Sequence, residues 1–217
     1  MSIKQNLDIA IEKSLYNEII EGRWIPNERI KIERIMDEYS VSRTPVIQAL
    51  KKMQERGLVV FTNTGHFYTP SYSTKDLKDI RNLRIVLETR ALREIKQKDI
   101  DVDFGLLYGI CENEQIHSKN GDNILAKRDD IDFHKELVDQ AGNSILSDLH
   151  RRIQDRFMIV NYSFAVHPLK KHEVAYNDHT KLLSLIGDGD FAGAEDLLEQ
   201  HITWAYQNVK MYMKDHI

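Results

Sequence analysis

Residues 41–65 read VSRTPVIQALKKMQERGLVVFTNTG. In the first half, Val46, Ala49, Leu50 and Met53 recur at steps of three, one and three, the stripe of an amphipathic helix. Thr44 can cap that helix. Pro45 suits its first turn, where the missing N–H has no partner to lose, and Gly57 stops it. The second half changes period. Leu58-Val59-Val60-Phe61 and His66-Phe67-Tyr68-Thr69 are rich in β-branched and aromatic residues and flank Thr62-Asn63-Thr64-Gly65, so they read as a hairpin.

Upstream, residues 31–39 (KIERIMDEY) give a short helix with Ile32, Ile35, Met36 and Tyr39 on one side, followed by a tight connection at Ser40-Val41-Ser42. Residues 8–21 carry Ile11, Leu15, Ile19 and Ile20 at helical spacing, and Gly22 stops that helix. Helix, tight turn, helix and hairpin form the pattern of a winged helix-turn-helix. The second helix of such a unit fits a major groove about 12 Å wide and meets base edges with its N-terminal residues. Those residues are Ser42, Arg43 and Thr44. Arg34 and Lys51 are further candidate DNA contacts, and Gly65 and His66 at the hairpin tip would reach a minor groove or the backbone. The competing reading is a small α+β core whose surface is incidentally basic.

Composition sets the limits. Hydrophobic content of 41% and charged content of 29% fit an ordinary soluble protein with a real core. No apolar run approaches a membrane span and the first residues are too polar for a signal peptide, so a cytoplasmic protein is expected. The single Cys111 excludes a disulfide framework and reads as a small packed hydrophobe. The net charge of −4 hides an asymmetry. Residues 1–70 hold ten Lys/Arg against nine Asp/Glu, and 41–69 hold Arg43, Lys51, Lys52 and Arg56 against Glu55. A local basic patch points weakly to nucleic acid.

Beyond Ser73 the periodicity is helical throughout: 75–98, with Leu77, Ile80, Leu83, Leu87, Leu92 and Ile95 as core candidates, then about 103–118, 122–140, 143–165, 170–187 and 190–214. Breakers fall at Asn120-Gly121, Gly142-Asn143, His167-Pro168 and Gly187-Asp188-Gly189. The expected fold is mainly α: a winged helix-turn-helix over 1–70, a linker at 71–74, and an all-helical antiparallel bundle over 75–217.

Within that bundle three helices turn an imidazole inward. In 129–142 (DDIDFHKELVDQAG), Asp130 and His134 share a face with Leu137, Val138 and Ala141. His179 lines up with Ala175, Leu182, Leu183 and Ile186, and His201 with Ala194, Leu197, Leu198 and Ala205. A lone inward histidine is commonly a core residue held by one hydrogen bond. Three with an aspartate would cost several kcal/mol if buried unpaired, and a divalent metal removes that cost by accepting their lone pairs. Spacing leaves both readings open, since nothing in it proves that the helices converge. Three imidazoles and one carboxylate suit zinc, nickel, manganese or iron.

The stretch VSRTPVIQALKKMQERGLVVFTNTG resembles the DNA-binding domain of the GntR family of bacterial transcription regulators, over about residues 8–70. The carrying residues are V-S-R-T-P-V, the A-L that follows, and G-L-V before the wing. The resemblance implies operator contact by Arg43 and Thr44. Ile47 stands where the family usually has a base-reading arginine, and Ser40 where it tends to place glycine. Residues 75–214 resemble the FCD effector domain of the FadR subfamily, through Asp130-x-x-x-His134, Ala141-Gly142-Asn143, Asp178-His179 with Leu182-Leu183, Gly189-Asp190 and the His201 helix. That resemblance implies a metal, often zinc or nickel, on Asp130, His134, His179 and His201. It also implies a small carboxylate or sugar-acid effector near Arg84, and a homodimer. The expectation is therefore a transcription regulator that is not an enzyme, binds operator DNA and responds to an acid. The alternatives are a regulator that answers to the metal itself and a metal-dependent hydrolase, which would leave residues 40–69 unexplained.

Overall fold

The computed structural model describes residues 3–20, 23–162 and 172–216. The expected stop at Gly22 and break at His167-Pro168 lie outside them. The chain divides into two compact units: the described part of Met1–Ser73 with that of Met158–Val166, and the described remainder of Thr74–Ile217.

The first unit holds α1 (Ile3–Ile20), β1 (Arg29–Ile30), α2 (Ile32–Tyr39), α3 (Arg43–Glu55), β2 (Val60–Phe61) and β3 (Phe67–Tyr68). Ile11, Leu15, Ile35, Val46, Ala49, Leu50, Met53 and Leu58 are all at most 2% exposed and form its core. The turn between α2 and α3 puts Ser40 at φ 51°, in the left-handed region, where Val41 N–H reaches back to the Met36 carbonyl at 3.0 Å. Glycine adopts that conformation most cheaply, which gives the family's glycine there a physical reason. The cap of α3 is Ser42 rather than Thr44: Ser42 is extended at φ −73°, ψ 166°, and Arg43 already opens the helix. The hairpin closes with Thr62 N–H on the His66 carbonyl at 2.9 Å and Gly65 at φ 78°. A strand absent from the sequence reading, β1, pairs antiparallel with β3 as Ile30 opposite Phe67, so the sheet order is β1-β3-β2.

The second unit is helical: α4 (Thr74–Lys98), α5 (Phe104–Asn120), α6 (Asn123–Asp139), α7 (Ser144–Tyr162), α8 (His172–Gly187) and α9 (Phe191–His216). α4 packs on α6 and α9, α5 on α6 and α8, and α8 on α9. Short polar caps set the turns. Asp103 accepts from Leu106 N–H at 2.9 Å, Asn143 from Leu146 N–H at 3.1 Å, and Asp190 from Gly193 N–H at 3.0 Å. Leu92, Leu107, Cys111, Phe133, Leu137, Val138, Ala194 and Leu198 are fully buried in its core. Burial pushes the Cys111 thiol up to about 12, so it packs as an inert hydrophobe.

One core expectation is corrected. Leu83 is 46% exposed. The buried face of α4 runs Leu77, Ile80, Arg84, Glu88, Ala91 and Ile95, at steps of three or four, and Leu83 falls beside it. Two charged side chains occupy places on that face where leucine would be expected.

Candidate functional site

The first unit presents Ser42, Arg43 and Thr44 as exposed residues where α3 begins. Free N–H groups and the positive end of the helix dipole make such a terminus suit phosphate. Arg43 does not stand alone: its Nη1 donates to Glu33 Oε1 at 3.0 Å, with both side chains mostly in solvent. A backbone hydrogen bond and then Arg43 hold the Glu33 carboxyl below its usual range. Arg56 likewise donates to Glu12 at 2.8 Å. The apparent basic excess of 41–69 is thus partly neutralised from α1 and α2. Arg34 stacks over Trp24 at 4.9 Å and lies 3.7 Å from Glu18, whose carboxylate accepts from the Trp24 indole. His66 Nδ1 meets Arg29 Nη2 at 3.1 Å, Gly65 is exposed at the hairpin tip, and Lys51 is exposed on α3.

The second unit brings Asp130, His134, His179 and His201 together: one donor atom from each lies within 4.8 Å of the others. His134 Nε2 and His179 Nε2 each lie 3.3 Å from His201 Nε2. Asp130 Oδ1 is 3.6 Å from His179 Nε2, 3.7 Å from His201 Nε2 and 3.9 Å from His134 Nε2. Bonds of about 2.0–2.1 Å at tetrahedral angles place neighbouring donors about 3.3–3.4 Å apart, so the spacing fits a transition-metal cation. The three imidazoles are buried, and Phe133 stacks on His179 at 4.0 Å.

Each histidine turns its other nitrogen to a carboxylate. His134 Nδ1 meets Glu88 Oε2 at 2.7 Å, His179 Nδ1 meets Glu114 Oε2 at 3.0 Å, and His201 Nδ1 meets Asp178 Oδ2 at 3.1 Å. An ionised carboxylate accepts, so His134 and His201 carry a proton on Nδ1, and Nε2 of all three rings faces the centre, the arrangement common at metal-binding histidines. The electrostatics agree. Burial drives the His134 and His179 imidazoles down to about 3. Burial also acts downward on His201, but its hydrogen bonds to Asp130 and Asp178 outweigh this and push that group up to about 9. Burial raises the Asp130 carboxyl, yet the three histidines overcome this and hold it far below the usual range. A proton on His201 therefore supplies positive charge where donors converge. Burial pushes Glu114 up to about 9.

Arg84 is 1% exposed on α4. Its Nε donates to Glu88 Oε1 at 2.9 Å, its guanidinium lies 4.7 Å over the Phe157 ring, and its buried Nη2 has no hydrogen-bond partner. On α7, His150 Nε2 at 3.0 Å and Gln154 Nε2 at 3.4 Å reach the same Glu88 oxygen. Sequence reasoning gave no site role to Glu88, Glu114, Asp178, His150 or Gln154. The signal existed for some: Glu88 follows Arg84 by four on the α4 stripe, and Glu114 follows Leu107 and Cys111 at steps of four and three.

The family described as FCD domain matches residues 79–203, and that of bacterial regulatory proteins, gntR family, matches residues 8–67. The HTH-type transcriptional repressor NanR of Citrobacter rodentium is 27% identical over 220 residues, which cover 92% of this chain and 81% of that protein. NanR of Salmonella typhimurium is also 27% identical, covering 92% and 80%. Among solved structures, Escherichia coli McbR/YncC superposes with a TM-score of 0.80 at 19% identity, over 97% of this chain and 99% of that one. A GntR transcriptional regulator from Rhodococcus sp. RHA1 superposes with a TM-score of 0.81 at 18% identity, over 93% and 96%. These structures share the fold.

Proposed function

We propose, for a chain that belongs to the gntR family of bacterial regulatory proteins and carries an FCD domain, that a small carboxylate bound beside a metal ion sets its affinity for operator DNA. The broad class is a DNA-binding transcription regulator and not an enzyme, as are its relatives, which are named repressors. In this reading Asp130, His134, His179 and His201 hold zinc or nickel, and the metal supplies Lewis-acid coordination for an acid. Arg84 Nη2 binds the acid's carboxylate. Ser42, Arg43 and Thr44 contact the operator, with Lys51, Arg34 and the Gly65-His66 tip as supporting contacts. The working unit is a cytoplasmic homodimer that sets two Arg43-bearing helices on a palindrome, half-sites about one helical turn apart. Acid binding shifts the population of DNA-competent dimers and releases the operator, with a coupling of about 1–3 kcal/mol.

The observation that carries the reading is the convergence of three Nε2 atoms and one carboxylate oxygen in the same unit as a buried guanidinium with an unpartnered nitrogen. Leaving Nη2 unsatisfied costs about 1–3 kcal/mol, which an anion bound to it recovers. The test is titration of operator fragments with the zinc-loaded protein, with and without a panel of organic and sugar acids, and with zinc alone. An acid that weakens DNA binding in the wild type but not in His179→Ala supports the reading. Operator affinity unmoved by any acid sinks the acid-sensing part. A response to zinc alone makes the metal the signal.

A further inference from the structure

Glu88 has no role in the reading above, on which this inference rests, yet its buried carboxylate meets four side chains. It is 0% exposed on α4. Oε2 accepts from His134 Nδ1 at 2.7 Å. Oε1 accepts from Arg84 Nε at 2.9 Å, His150 Nε2 at 3.0 Å and Gln154 Nε2 at 3.4 Å. Glu114 and Asp178, by contrast, each face one ligand histidine, and the other oxygen of Glu114 is buried without a partner.

We propose that Glu88 is a positioning residue that links the cation site to the acid-binding guanidinium. Its two oxygens divide the work. One orients a metal-ligating imidazole, and the other fixes Arg84 so that Nη2 stays free. Coordination withdraws electron density from an imidazole, and its Nδ1–H then donates more strongly to the carboxylate opposite. At His134 that carboxylate is also the counterion of Arg84. Occupancy of the cation site is therefore felt at the guanidinium, through one rigid group held by four donors. His179 and His201 have private carboxylates and transmit nothing to Arg84 by this route. The bundle thus registers cation and acid as one event, with no helix movement needed to connect them.

The experiment uses zinc alone on the full chain. The zinc dissociation constant is measured by competition with a chromophoric chelator. The Arg84 Nε–H resonance, identified by its loss in Arg84→Lys, is followed through the titration. In the wild type zinc shifts that resonance. Glu114→Gln weakens zinc by about 10–100-fold, the usual effect of losing such a partner, but at saturating zinc keeps the Arg84 shift. Glu88→Gln weakens zinc by a similar factor and abolishes the shift. Zinc binding in the wild type with a silent Arg84 overturns the inference while sparing the metal site, and this arm needs no variant. A wild-type shift in Glu88→Gln, or unchanged zinc affinity there, also overturns it. A wild type that takes up no zinc removes the proposed function and this inference together.

Discussion

Arg43 and Arg84 each pair with a glutamate, Glu33 at 3.0 Å and Glu88 at 2.9 Å, but in opposite surroundings. The first pair lies in solvent, 60% and 70% exposed; the second is sealed at 1% and 0%. An exposed pair is screened by water and salt and contributes little, so a phosphate can take Glu33's place at small cost. A buried pair cannot be broken so lightly, because the survivor becomes an uncompensated charge. The difference teaches how one residue type serves two tasks. On the proposed function, the head offers exchangeable contacts to DNA, and the bundle holds fixed groups around a site made ready before its ligand arrives.

The contrast breaks most visibly at Glu88. Glu88→Ala is expected to cost about 3–5 kcal/mol in urea unfolding, since Arg84, His134 and His150 all lose their acceptor. A loss below about 1 kcal/mol would mean that the buried cluster is no tighter than the surface pair. Next comes the metal. Zinc at a hundredfold excess over its dissociation constant should stabilise the fold by about 2.7 kcal/mol, and a chelator should reverse this. His179→Ala should show no zinc-dependent shift in melting temperature.

Acidity sharpens the same side of the comparison. His134 and His179 titrate near 3 in the zinc-free fold, against 6.5 for an ordinary imidazole. They bind fewer protons folded than unfolded, so the stability they contribute is complete above about pH 6.5 and drains away as pH falls toward 3. His201, at about 9, binds more protons folded, so its contribution is complete below about pH 6.5 and is lost as pH rises through 9. Zinc-free protein should therefore be most resistant to urea near pH 6.5. Zinc uptake at pH 7 should expel the His201 proton, readable by calorimetry in buffers of different ionisation enthalpy.

The head gives the smaller effects. Arg43→Ala should weaken operator binding and lower the slope of log affinity against log salt by about one. Loss of affinity with an unchanged slope would show that Arg43 is not a phosphate contact. Glu33→Gln should leave the unfolding midpoint alone and tighten DNA binding slightly, the smallest change expected.

Much of the fold was legible because burial follows period. The stripes at Val46, Ala49, Leu50 and Met53, and at Leu137, Val138 and Ala141, are core in the structure. The two-residue strand Arg29–Ile30 was not, because two residues carry no alternation to read. At the bundle site, histidines on apolar stripes stood out, since an imidazole among leucines is conspicuous. Glu88 and Glu114 sit on equally apolar stripes, yet a glutamate in a helix is ordinarily solvated. Their burial depends on histidines 46 and 65 residues away in sequence. Arg34 illustrates the converse: its charge suggested DNA, while its surroundings, Trp24 and Glu18, emerge only in three dimensions.

X-ray absorption at the zinc edge of the loaded protein tests the central claim most directly. A nitrogen and oxygen shell at about 2.0–2.1 Å, with the outer-shell scattering of three imidazoles, is the expected spectrum. A zinc ion with sulfur in its shell, or with fewer than two imidazoles, would contradict the convergence of His134, His179 and His201 on one cation.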